Sequence, residues 1–169
     1  MFNETAKKQG GFTLIELVTV IVILGVLAVT AAPRFFNLQN DARKAALAGM
    51  KGAMSAAITQ VYGLSVLAGT DHEESAKLLV SGEDVSTVYG YPKSDFKNAW
   101  SKILNAEFGE AGYTESNEHE WIWRNPDQGT IYFMPRGFSQ TSTNCWIGYS
   151  QPTSKATSTY KVVMEDSGC

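Results

Sequence analysis

The run Gly11-Phe12-Thr13-Leu14-Ile15-Glu16, continued by the apolar stretch Leu17 to Ala32, decides how the rest of the chain is read. From Phe12 to Ala32 the only charged side chain is Glu16. As a helix, that stretch is roughly 30 Å long, the thickness of a bilayer's hydrocarbon core. A carboxylate within it is costly, by about 2.5–3.5 kcal/mol for an aspartate at the membrane centre. Glu16 therefore calls for a positive partner, and an ionisable residue in such a segment is a functional candidate. Lys7 and Lys8 precede the run. By the positive-inside rule they keep the N-terminus cytoplasmic and export the remainder.

Two ordinary readings compete. Lys7 and Lys8, an apolar run and the small residues Thr30-Ala31-Ala32 compose a secretory signal removed near Ala32. The run is longer than the usual ~7–15-residue apolar region, and a discarded peptide has no use for Glu16. A plain single-pass anchor leaves the Gly11-Phe12 junction unexplained. The short basic stretch ending in Gly11-Phe12-Thr13-Leu14-Ile15-Glu16 resembles instead the class III signal of type IV pilins. That resemblance implies that prepilin peptidase cuts between Gly11 and Phe12 and that Phe12 becomes an N-methylated amino terminus. Glu16 would serve assembly, meeting the Phe12 amine of an incoming subunit. The helix is then kept, first in the inner membrane and afterwards as a filament core. Pilins place a helix-breaking glycine and proline where this chain has Gly25 and Pro33, which implies an extensible segment between them. By residue type alone the two are tolerated kinks of a membrane helix.

The 169 residues suffice for one domain besides the apolar segment. With 14 basic against 17 acidic side chains and a net charge of −3, nothing points to nucleic acid. Loss of residues 1–11 removes Glu4, Lys7 and Lys8 and leaves the remainder one unit more negative. Cys145 and Cys169 both fall in the exported part. In an oxidising compartment they pair, closing a loop worth about 3.5 kcal/mol in the chain-entropy account. The alternative, two free thiols, suits a secreted chain poorly.

Beyond Pro33, Leu47, Met50, Met54, Ile58 and Val61 recur at helical spacing. Ala45, Ala48, Gly49, Gly52, Ala53 and Ala56 make a second, small face that admits close neighbouring helices. One helix from Phe12 to about Tyr62 is expected. Ser75–Val80 reads as a short helical turn closed by Gly82. Ser94 caps a further helix with Phe96, Ala99, Trp100 and Ile103 on its apolar face, ending near Gly109. Trp121–Arg124 and Thr130–Met134 flank the turn Asn125-Pro126-Asp127-Gln128-Gly129 as a hairpin, and Cys145–Tyr149 and Thr159–Val163 are two more strands. The fold class is α+β: a long helix on an antiparallel sheet of about four strands.

Phe35-Phe36-Asn37-Leu38-Gln39-Asn40-Asp41-Ala42-Arg43, Gly49-Met50-Lys51-Gly52-Ala53 and Val88-Tyr89-Gly90-Tyr91-Pro92 are similar to pilins of the mannose-sensitive haemagglutinin type. The resemblance implies the major pilin of an adhesive filament. It divides the chain into a leader (1–11), a transmembrane and filament-core helix (12–33), an amphipathic half-helix (34–63), a connecting region (64–118) and a disulfide-bounded sheet region (119–169). Partners would be identical subunits, prepilin peptidase, the pilus assembly machinery, the inner membrane and host or surface glycans. The closest rival is a major pseudopilin of type II secretion, a family that often binds calcium. A rival of another class is a secreted ligand-binding protein with its signal removed.

No catalytic constellation and no phosphate loop stands out, so an enzyme, a cofactor and a metal are not expected. His72 in Asp71-His72-Glu73-Glu74 and His119 in Glu118-His119-Glu120 lie among acids, where adjacent loop residues point apart. Asp127, Glu165 and Asp166 form no recognisable calcium loop. Trp121, Trp123, Tyr132, Phe133, Trp146 and Tyr149 compose either a sugar platform or, at strand spacing, the sheet's core.

Overall fold

The computed structural model describes residues 11–112, 118–154 and 159–169, with backbone alone for residues 34–37. Lys7 and Lys8, the side chains of Phe35, Phe36 and Asn37, and residues 155–158 of the Ser/Thr-rich loop lie outside the described residues. The chain divides into two units, Met1–Asn40 and Asp41–Cys169.

The first unit is helical from Leu14, where α1 (Leu14–Ala68) begins. Its large apolar side chains from Leu14 to Val29 are exposed, and the helix is long and apolar enough to cross a membrane. Gly25 and Pro33 lie inside α1 without ending it. Proline has no N–H, so the Val29 carbonyl lacks its usual helical donor. The Thr30 hydroxyl bonds the Leu27 carbonyl at 2.9 Å.

The second unit takes the remainder of α1, which runs past the expected end at Tyr62. Gly63 does not stop it, because the next turn still packs. Ser65 is buried, with its hydroxyl donating to the carbonyls of Val61 (2.9 Å) and Gly90 (3.0 Å). The stop is Gly69, at φ 71°. There Thr70 N–H bonds Ser65 O and Gly69 N–H bonds Val66 O, the paired bonds of a Schellman cap.

Ser75–Val80 corrects one expectation. Ala76–Val80 is a strand, β1, paired antiparallel with β2 (Glu83–Val88), which in turn pairs with β3 (Tyr91–Pro92). Ser81 and Gly82, at φ 53° and 91°, form the tight turn that folds β1 back on β2. Leu78 and Val80 thereby alternate inward.

The second expected helix shrinks as well. Asp95, not Ser94, caps a π-helical turn over Phe96–Trp100 that runs into one α-turn, Ser101–Ile103. Ser94 is occupied elsewhere, its hydroxyl donating to Gly129 O at 2.9 Å. After Leu104 the chain extends, and Phe108–Glu110 forms β4, parallel to β5 (Trp121–Arg124).

The second sheet continues antiparallel through β6 (Thr130–Pro135), β7 (Trp146–Ser150) and β8 (Lys161–Glu165), in order β4-β5-β6-β7-β8. The architecture is α+β as expected, but with a three-stranded and a five-stranded sheet in place of a single sheet of about four. Leu47, Met50, Met54, Ile58 and Val61, the stripe read from spacing, are all buried in one core with Trp100, Phe133, Ile147 and Tyr149.

Candidate functional site

The described chain around the expected cleavage point is built by a local motif. Thr13 stands just before α1, and its hydroxyl accepts from the Glu16 N–H at 3.3 Å. The Glu16 carboxylate reaches back to accept from the Thr13 N–H at 2.9 Å and from its hydroxyl at 2.7 Å. This reciprocal Thr-x-x-Glu pattern is a capping box, which satisfies amide donors that a helix N-terminus leaves open. It places the helix start at Leu14. Gly11 and Phe12 stay outside the helix, with Phe12 81% exposed. Glu16 also lies in the first turn, where a negative charge complements the helix dipole.

Glu16 thus has partners from its own chain, both neutral. The Thr13-x-x-Glu16 spacing is itself a sequence-level signature of these partners, distinct from the positive partner that charge alone calls for. Further along, the Thr19 hydroxyl donates to Ile15 O at 2.7 Å, so its polarity is met inside the helix.

At the other end of the chain Cys145 and Cys169 are disulfide-bonded and buried. Asn144, at φ 53°, accepts from the Gly168 N–H at 2.9 Å through its carbonyl. A side chain at Gly168 would overlap the Thr143 carbonyl, so the tail lies against this turn only as glycine. Arg43 of α1 donates to Cys169 O at 3.2 Å and sits 5.3 Å from the Phe138 ring centroid. The disulfide and Arg43 together tie the C-terminal segment to both the start of β7 and the helix. Arg43 carries no local sequence signal for this contact, which joins residues 126 positions apart.

The remaining sequence candidates separate. His72 Nδ1 lies 3.1 Å from Asp71 Oδ2 at the surface, while the His119 carbonyl accepts from Arg136 Nε at 3.0 Å. Among the described residues no group of three or more His, Cys, Asp and Glu side chains is placed to hold a metal. Asp127 accepts from the Gly129 and Thr130 amides and so shapes its own turn. Glu165 accepts from the hydroxyl and N–H of Ser167, which hold its carboxyl below the ordinary range.

Trp121, Trp123, Phe133 and Tyr149 are buried, which makes them core. Tyr132 and Trp146 meet edge to face at 5.1 Å over Gly148, where a Cβ would come within 2.9 Å of the Tyr132 ring. Two open clefts of about 440 and 450 Å³ lie on the surface and share Lys93.

Comparison with known proteins bears on the N-terminal part. Residues 6–32 match the family described as the prokaryotic N-terminal methylation motif. The chain is 42% identical over 57 residues to the Type IV narrow pilus major component PilA5 of Thermus thermophilus, covering 34% of this chain and 46% of that protein. It is 34% identical over 74 residues to the Type II secretion system core protein G of Pseudomonas aeruginosa, covering 44% of this chain and 51% of that protein. The chain therefore spans about half the length of these relatives. No solved structure matches it. The chain is type IV pilin-like in this part, and its motif and apolar helix fit a membrane-anchored precursor.

Proposed function

We propose that this chain is the structural subunit, a major pilin, of a type IV pilus. It is made as a membrane prepilin with its N-terminus cytoplasmic, cut between Gly11 and Phe12, methylated on Phe12 and polymerised into an adhesive surface filament. One observation carries the reading. The methylation motif over residues 6–32 coincides with an exposed apolar helix that starts just beyond Gly11-Phe12. Prepilin peptidase, the assembly machinery and identical subunits are the partners this implies, and the relatives named above, a pilus component and a secretion protein, support a structural rather than an enzymatic role.

Within this reading, cleavage gives Phe12 an amino terminus, positive at neutral pH with a reference pKa near 8. Methylation to a secondary amine preserves that charge. A neighbour's Glu16 then supplies the counter-charge in a dry filament core, and the pairing sets the axial register. Gly25–Pro33, helical in the single chain, is the segment that extends when the subunit enters the filament. The stretches at 35–53 and 88–92 favour a pilin of the mannose-sensitive haemagglutinin type, with host or surface glycans as ligands of the fibre. Gly11→Val tests the cleavage step: full-length precursor should collect in the inner membrane with no fibre. Normal-length mature protein from that variant would refute cleavage at this bond.

A second reading has its own support. Similarity to the type II secretion core protein extends over a larger share of this chain than similarity to the pilus component. On that reading the chain is a major pseudopilin and builds a short periplasmic fibre. Electron microscopy of material sheared from cells decides between the two, since only a pilus appears there as long surface filaments.

A further inference from the structure

Two tyrosines from separate elements lie ring on ring where the end of α1 meets the turn between β2 and β3. The Tyr62 and Tyr91 ring centroids are 4.6 Å apart, and the ring planes differ by 15°. Tyr62 stands on α1 and Tyr91 on β3. The backbone around the pair is held. One turn beyond Tyr62, the buried Ser65 hydroxyl donates to Gly90 O at 3.0 Å, and Tyr91 pairs with Val88 across the turn. Gly90 makes the approach possible. A Cβ there would lie 3.2 Å from Tyr62 Cδ2 and 3.0 Å from Asp71 Cα, and its φ of 82° also favours glycine.

Any two aromatic rings can stack, but the hydroxyls add chemistry to the contact. Burial, then the neighbouring Tyr62 and Tyr160, hold the Tyr91 phenol above its ordinary value, and a hydrogen bond joins it to the Tyr62 side chain. With the oxygens side by side and the rings near parallel, the carbons ortho to both hydroxyls come to the same edge of the stack. Tyr62 is 37% exposed, so a reagent in solvent reaches it, and Tyr91 is half-buried. The neighbouring tyrosine contacts are less suited. Tyr91 and Tyr160 are tilted by 48° at 5.2 Å, and Tyr149, 6.2 Å from Tyr160, is fully buried.

We propose that Tyr62 and Tyr91 are an oxidative cross-linking site, where a haem peroxidase with hydrogen peroxide joins the rings carbon to carbon and staples the end of α1 to the β2–β3 turn. The exposed Tyr62 first loses an electron to the peroxidase and its hydroxyl proton to water, which leaves a phenoxyl radical. Tyr91 passes an electron across the stack and a proton along the hydrogen bond, restoring Tyr62 and moving the radical to Tyr91. A second oxidation of Tyr62 gives two radicals in contact, and one bond forms between their ortho carbons. Those carbons release their hydrogens as protons and the oxygens are reprotonated, so both rings are phenols again. The two electrons and two protons lost reduce one hydrogen peroxide to two waters. Radicals on separate chains must meet by diffusion, whereas well-oriented groups within one chain reach effective molarities of about 10⁵–10⁸ M. The site lies in the second unit and stands for pilus and pseudopilus alike.

The full chain in detergent micelles is treated with a haem peroxidase and limiting hydrogen peroxide, then digested and mapped by mass spectrometry under reducing conditions. Wild type should give a joined species two hydrogen atoms lighter than the peptides holding Tyr62 and Tyr91 together, with dityrosine fluorescence, and the chain should stay monomeric. Tyr62→Phe and Tyr91→Phe, which keep the stack, should lose the joined species, while Tyr160→Phe should keep it. Treated wild type should melt on the order of 10 °C above Tyr62→Phe treated in parallel, the shift expected from closing the loop between positions 62 and 91. The proposal is overturned if no Tyr62–Tyr91 species forms, if coupling joins separate chains or Tyr160 in preference, or if treated wild type melts no higher than treated Tyr62→Phe.

Discussion

Replacing Cys145 by serine removes the cross-link to Cys169 and leaves an isosteric, uncharged side chain in its place. The bond spans a sequence separation of 24 residues. In the chain-entropy account, closing a loop of that size stabilises the fold by about 3.5 kcal/mol. A domain of about 130 residues unfolds with an entropy near 0.27 kcal/mol per kelvin, so the loss lowers Tm by about 13 °C. The entropic cost falls on the unfolded chain, but the folded tail is affected too. Arg43 holds Cys169 O and Phe138, a contact that remains when the disulfide is lost. The assay is thermal unfolding of the full chain in detergent, followed by near-ultraviolet circular dichroism, where Trp146 beside Cys145 reports directly. Wild type under reductant should reproduce most of the Cys145→Ser shift. A fall in Tm of less than about 3 °C in both would refute the reasoning, because it would leave under a quarter of the calculated stabilisation.

Arg43→Ala should cost about 1–2 kcal/mol in the oxidised protein. Its effect should differ once the disulfide is reduced, since the two restraints share one segment; strictly additive shifts in a double-mutant cycle would contradict the clamp. Met54→Ala, at a fully buried position on the helix stripe, should cost about 2–5 kcal/mol by chemical denaturation. Burial, then the nearby Tyr160 and Tyr91, hold the Tyr149 hydroxyl well above its ordinary value of 10. The fold keeps that proton while the unfolded chain releases it, so stability is intact below pH 10 and falls as pH rises further. Alkaline titration followed at the tyrosinate band should show one tyrosine ionising only with unfolding, and complete reversible ionisation of a folded chain would contradict this. Glu16→Gln separates cap from charge: the amide can still accept from Thr13, so the helix start should survive, while fibre yield should fall sharply because the Phe12 amine of a neighbour loses its counter-charge. Wild-type fibre from Glu16→Gln would leave capping as the residue's whole role.

How much of this was legible in the sequence follows from how local each signal is. The stripe from Leu47 to Val61 repeats along one continuous helix, and spacing alone identified its buried face. Trp121–Arg124 and Thr130–Met134 announced themselves by the turn between them, which Asn125 and Asp127 close with their own side chains. Ser75–Val80 went wrong because Ala, Lys and Leu favour helix, whereas pairing with β2 decides the matter. Gly82, which in isolation suits a helix stop, is with Ser81 the turn of a hairpin. β4 is three residues long and pairs in parallel with a strand beyond a further loop, a contact no local pattern records. Of the candidate site, Glu16 was singled out by its charge in an apolar run. Its partner Thr13 has a signal of a different kind, the Thr-x-x-Glu spacing that marks a helix end rather than a charge pair.

The central claim is that Gly11–Phe12 is cut and that the apolar helix remains in an assembled subunit. Its most direct test is the intact mass and N-terminal sequence of protein sheared from the cell surface. The account predicts a chain that begins at Phe12, heavier by one methyl group and otherwise running through the apolar helix to the disulfide. A surface protein that begins near Pro33, or one that retains residues 1–11, would contradict it.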